Sequence, residues 1–214
     1  MARILVYRSA VLFLTVFYLI YTVLAGDWLS FGGPWRYLTV WALTFSSFVA
    51  LHVFRKALGH QVRSLDGLIA ATAVINAMVV MLYWRLYFAD PFSVTPDGQL
   101  GVWWREYYMH AVGPLLMWID AVFINRVFRR IWDGLVVLIF VFIAYVIWIE
   151  FFVQRFNDLP SGGVTNGLPY RFLNSMVFGD RIGFYVTNLA VGIVFLSLFS
   201  GLAFTWRCFA QRRH

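Results

Sequence analysis

Cysteine occurs once, as Cys208, so no intramolecular disulfide can form, and neither CxxC nor zinc-finger spacing is present. Lysine also occurs once, as Lys56, against sixteen arginines; that bias points to a GC-rich genome and to a bacterial inner membrane rather than an endoplasmic reticulum. Charge of either sign is scarce. Only 13% of the 214 residues are charged while 62% are hydrophobic, and the mean hydropathy of +0.75 leaves too little polar surface to coat a soluble globule. A GxSxG elbow is missing, which disfavours an ordinary serine hydrolase. No internal repeat is evident, so an inverted-repeat transporter gains no support.

What the chain has in place of charge is long apolar runs. Those near residues 9 to 25, 37 to 54, 67 to 88, 106 to 124, 135 to 153 and 184 to 206 each approach the roughly 20 residues that cross about 30 Å of hydrocarbon as a helix. They are continuously apolar and lack the two-residue alternation of barrel strands. The fold class predicted is therefore all-α, a six-transmembrane-helix bundle forming one integral membrane domain over 1–214. Arg3 and Arg8 before the first run imitate a secretory signal; we read the segment as the first span.

The net charge of +7 does not indicate nucleic acid, because the basic residues sit at the ends of spans. Eleven of the seventeen, including Arg8, Arg55, Lys56, Arg126 and Arg207, fall on one side, and the opposite loops carry Asp27, Asp90, Asp97, Asp158 and Asp180. The positive-inside rule then puts both termini in the cytoplasm. The longest connection, 154–183, has turn markers at Pro160, Gly162, Gly163, Gly167 and Pro169. Its "LPYRFLNSMVFG" portion is apolar enough to pack on the bundle, and an ordered cap is expected.

Polar residues collect at one depth. Thr39 lies four residues inside Trp35, about 6 Å along a helix axis, and His110 lies six residues inside Trp104, about 9 Å. The same outer third holds Tyr18, Tyr21, Tyr83, Arg85, Glu106, Glu150 and Asn188. Ionisable groups at such depth usually face a bundle interior or a wet cavity. Each has a plain structural reading as well. Thr39 could return its hydroxyl to the Trp35 carbonyl, His110 could be an interhelical donor, the tyrosines could be interface aromatics, and Arg85 and Glu106 could snorkel. Asp120, low in span four, suits a structural pairing with one of the cytoplasmic arginines.

The blocks "GGPWRYLT" and "WREYYMH", followed by "GPLL", "PYRFLN" and "GDRI", resemble the androgen-induced family of multipass membrane lipid hydrolases, which act on fatty acid esters of hydroxy fatty acids. The resemblance runs over nearly the whole chain. It departs from the animal pattern at Tyr107, where a second histidine is usual. It implies Thr39 as nucleophile and His110 as base, a long-chain lipid ester as substrate, and no cofactor or metal. The chemistry requires a base within reach of the hydroxyl. Glu106, one turn from His110, or Glu150 could orient the imidazole, and Arg85, Asn188, a tyrosine or unpaired amides at the start of span two could supply oxyanion donors. Tyr18, Tyr21 and Tyr83 are candidate substrate-binding residues. A bis-histidine haem site is disfavoured, because His52 sits about 20 Å along span two from Thr39. A non-catalytic transporter or lipid-binding scaffold remains the alternative function.

Overall fold

The computed structural model describes residues 2–95, 97–157 and 167–211. Six helices among them are long and apolar enough to cross a membrane: α1 (Ala2–Leu24), α2 (Leu38–Ala57), α3 (Asp66–Ala89), α4 (Trp103–Ile124), α5 (Ile131–Phe156) and, after the short α6 (Arg171–Asn174), the long α7 (Phe178–Gln211). No strand occurs among the described residues. This is a multipass helical membrane protein, and each apolar run expected from the sequence has its helix.

The pattern of burial explains the arrangement. Residues 69 to 79 of α3 are buried without interruption, on every side of the helix, which marks α3 as the central element. It packs on α2, α4, α5 and α7, while α1 lies along α2. Small residues Ala70, Ala71, Ala73 and Ala77 let those neighbours approach closely. On α1, α5 and α7 large side chains such as Phe13, Phe140 and Leu198 stay exposed on the outside of the bundle, the surface that hydrocarbon would cover.

The first turns of α1 and the last turns of α7 lie at one end of the bundle, with the C-terminal part of α4. The Arg8 guanidinium donates to both carboxylate oxygens of Asp120 at 2.8 and 3.0 Å and to the Val53 carbonyl at 3.1 Å, and Trp206 packs edge-on against Phe123. Asp120 is thus a structural partner of an N-terminal arginine. At the opposite end the described part of the 154–183 connection packs on the bundle, with Leu168 and Leu173 buried against Tyr145, Ile149 and Tyr185. The turn markers Pro160, Gly162 and Gly163 lie outside the described residues.

Among the described residues two spans contain π-turns, which continuous apolarity does not reveal: Tyr108–Val112 and Asp120–Ile124 in α4 and Trp148–Val153 in α5. Each carries a buried ionisable side chain, His110, Asp120 and Glu150 respectively. Such turns recur at functional sites because the extra residue re-aims neighbouring side chains.

Candidate active site

The start of α2 is positioned from outside its own helix. Gly32 and Gly33 both have positive φ, 85° and 48°, and a Cβ at Gly33 would lie 2.8 Å from the Trp28 ring, so this turn requires glycine. Pro34 then opens a 3₁₀ turn, Gly33–Arg36. The Trp35 carbonyl accepts from the indoles of Trp41 at 2.7 Å and Trp148 at 3.0 Å, and the Arg36 carbonyl accepts from the Tyr145 hydroxyl at 3.0 Å. The Leu38 amide donates to the Tyr170 hydroxyl at 3.1 Å. Burial pushes the Tyr170 phenol up to about 12, so it stays neutral in this role. With the Trp35 carbonyl occupied by two indoles, the Thr39 hydroxyl is not folded back onto it.

On α4 the controlling residue is Pro114. It has no N–H to give the His110 carbonyl four residues earlier. That carbonyl instead accepts from the Trp84 indole of α3 at 2.8 Å, and the Gly113 amide reaches back to the Tyr108 carbonyl in the π pattern. His110 is thereby fixed at its backbone. The Tyr83 ring lies parallel to the imidazole, with centroids 3.5 Å apart.

Thr39 Oγ1 and His110 Nε2 are 3.5 Å apart although 71 residues separate them in sequence. The other ring nitrogen, Nδ1, faces two acceptors, the Glu106 carbonyl oxygen at 3.1 Å and Glu106 Oε2 at 3.3 Å. Two acceptors at Nδ1 assign the proton there, and Nε2 keeps its lone pair toward the Thr39 hydroxyl. Glu106 is itself held, since Oε2 accepts from the Tyr83 hydroxyl at 3.0 Å and Oε1 from Arg105 at 2.7 and 3.0 Å. His110 and Glu106 are buried and Thr39 is half-buried.

Thr39 and Tyr83 stand where two cavities meet. One is a cleft of about 640 Å³ that also borders Arg36, Arg105, Glu106, His110 and Tyr170. The other is a narrow apolar slot of about 90 Å³ between α3, α5 and α7. Ala42 and Ser46 of α2 and Gly113 of α4 line a third, small space beside Thr39, so the two helices face each other across a gap.

The remaining expected residues are placed differently. Glu150 is drawn away from His110 because Arg181 donates to both its oxygens at 2.9 and 3.1 Å and Tyr185 donates at 2.6 Å. Arg85 is exposed and borders neither cavity, since its place on α3 faces away from the bundle. Asn188 lines the slot with its amide turned to the Phe184 carbonyl of its own helix at 2.8 Å. Tyr18 stacks on Tyr108 and Tyr21 packs on Trp104; both fasten α1 to α4 without lining either cavity. Of the tyrosines proposed for substrate, only Tyr83 lines the site.

Sequence reasoning passed over Arg36 and Arg105. Both sit inside the blocks that carry the resemblance, next to the cleft they border. Arg36 Nη2 donates to Asp27 at 3.0 Å, and its Nε is buried with no hydrogen-bond partner. Hydrogen bonding from the Leu29 amide, helped by Arg36, holds the Asp27 carboxyl below the usual range.

Fold and site together define a multipass helical membrane protein with a threonine, a histidine and a glutamate in sequential contact below one end of the bundle. The chain belongs to the FAR-17a/AIG1-like family, whose model matches residues 2–203 and which is the androgen-induced family its motifs resemble. No curated protein and no solved structure gives a significant match.

Proposed function

We propose that this protein is a membrane-embedded hydrolase of lipid esters, of the type exemplified by fatty acid esters of hydroxy fatty acids, with Thr39 as nucleophile and His110 as general base. The observation that carries the reading is the approach of Thr39 Oγ1 to the unprotonated Nε2 at 3.5 Å, with Nδ1 directed at Glu106. The separation is longer than a tight hydrogen bond, as catalytic contacts often are before substrate binds.

The chemistry runs through four groups. Thr39 Oγ1 attacks the ester carbonyl carbon as its proton passes to His110 Nε2, and Glu106 stabilises the imidazolium through Nδ1–H. Collapse of the tetrahedral intermediate breaks the bond to the alcohol oxygen, which leaves with the proton from Nε2. Water, deprotonated by His110, then releases the acyl group from Thr39. For the oxyanion the best-placed donor is the Thr39 amide. The Leu38 amide is taken by Tyr170 and those of Val40 and Trp41 by the Tyr37 carbonyl, while the Thr39 amide has no hydrogen-bond partner among the described residues. An unclaimed N–H in the first turn of a helix also carries the positive end of the helix dipole.

We place the termini in the cytoplasm by the positive-inside rule, which puts the site toward the outer leaflet. A lipid ester then enters sideways with its carbonyl near the headgroups. The test is hydrolysis of a long-chain lipid ester by purified protein in detergent. Loss of turnover in Thr39→Ala and His110→Ala with the protein still folded is the expected result; binding without turnover in the unaltered protein would favour a carrier or scaffold.

A further inference from the structure

The apolar slot follows one face of each helix that borders it. On α3 it touches Ile75, Met78, Leu82 and Leu86, and on α5 it runs from Ile149 down to Leu138. These residues recur at helical spacing, so the slot runs along the helix axes. From Leu86 to Ile75 is eleven residues, about 16 Å, and from Tyr83, at the level of the imidazole, to Ile75 is eight residues, about 12 Å. Thr39 lies at its upper part, so the slot begins where the reacting carbonyl would sit.

Its lower end is shaped by one contact. Gly192 of α7 is buried against Met78, and a Cβ at Gly192 would lie 3.0 Å from the Met78 sulfur and 3.5 Å from Leu138 Cδ2. Glycine here lets the thioether lie back against α7. Any larger residue would push it toward the slot.

We propose that this slot takes the acyl chain of the ester attacked by Thr39, and that Met78 and Gly192 set the length of chain it admits. The proposal rests on the hydrolase reading above. An extended chain advances roughly 1.2 Å per bond, a third of the 3.6 Å spanned by one extended residue. About ten bonds therefore fit between the level of Tyr83 and Ile75. The open volume of about 90 Å³ is smaller than the roughly 150 Å³ of an apolar cavity that admits benzene, so side chains must give way as the chain enters. Met78, unbranched and with three rotatable bonds, is suited to that movement.

The experiment compares unaltered protein, Met78→Ala, Gly192→Ala and the double variant on saturated acyl esters from six to sixteen carbons. The readout is the ratio of kcat/KM for the longest to the shortest ester. One methylene in an apolar pocket is worth about tenfold or more in discrimination. Met78→Ala should raise the ratio by about that factor and Gly192→Ala should lower it by the same order. The double variant should follow Met78→Ala, because the side chain that the new methyl displaces is gone, and that agreement separates a shape effect from poor folding of Gly192→Ala. Identical ratios in all four proteins would overturn the proposal. Thermal shifts of the same proteins with non-hydrolysable alkyl glycerol ethers of six to sixteen carbons separate the two readings. A chain-length profile that moves with the variants while turnover is absent would refute the hydrolase and support the slot; a profile the variants leave unmoved would refute the slot.

Discussion

Replacing Glu106 by glutamine isolates the contribution of the carboxylate to His110. The carboxylate uses both oxygens, Oε1 for Arg105 and Oε2 for His110 Nδ1 and Tyr83. An amide offers one acceptor oxygen, so it must turn its NH₂ toward Arg105 or toward Nδ1, and either orientation sets donor against donor. The loss is that of a charge-assisted hydrogen bond, about 1.5 to 3 kcal/mol. At 1.36 kcal/mol per decade this is a fall in kcat of about 10- to 150-fold, with KM little changed. In the serine protease template, loss of the acid costs about 10⁴ because the histidine adopts the wrong tautomer. Here the Glu106 main-chain carbonyl, 3.1 Å from Nδ1, survives the substitution and keeps the tautomer, so the smaller loss is expected. The assay is steady-state hydrolysis of a long-chain ester, with protein of matched thermal stability. A fall near 10⁴ would show that the carbonyl does not hold the tautomer, and a change under about threefold would show that the carboxylate does not orient the imidazole.

Further expectations concern the frame around the site. Pro114→Ala restores an N–H that competes with Trp84 for the His110 carbonyl, and the resulting shift of the imidazole should lower kcat by about 100-fold with the fold intact, measured with circular dichroism as control. Asp120→Ala leaves Arg8 buried without its carboxylate and should destabilise the protein by about 3 to 5 kcal/mol, seen as a lower Tm in detergent. Arg181→Met removes two charge-assisted bonds to buried Glu150 and should lower Tm similarly. Labelling of Thr39 by a phosphonate probe at low temperature should survive it, since Glu150 is not part of the Thr39 and His110 contact.

The six spans were legible because hydropathy alone decides them. Thr39 and His110 could be paired because insertion depth is a linear count of residues. Glu106 followed from its place one turn before His110. What depth cannot give is azimuth. Arg85, Tyr18 and Tyr21 share the level of the site but point elsewhere, and no residue in their own helices announces that. Glu150, offered as the alternative to Glu106, is held by Arg181 for a related reason. The last apolar run was read from residue 184, whereas α7 begins at Phe178, so Arg181 enters the bundle and takes the carboxylate. The π-turns were hidden as well, although Pro114 supplied a local cause for the first. Unpaired amides at the start of span two were expected, but that Thr39 carries the free one emerged only with the partners of its neighbours, the Tyr170 hydroxyl and the Tyr37 carbonyl.

The most direct test of the account is to map where an electrophilic alkyl phosphonate attaches. Digestion and mass spectrometry of the labelled native protein should place the adduct on Thr39, and labelling should vanish in Thr39→Ala and fall strongly in His110→Ala. Labelling or ester hydrolysis that persists undiminished in folded Thr39→Ala would contradict it.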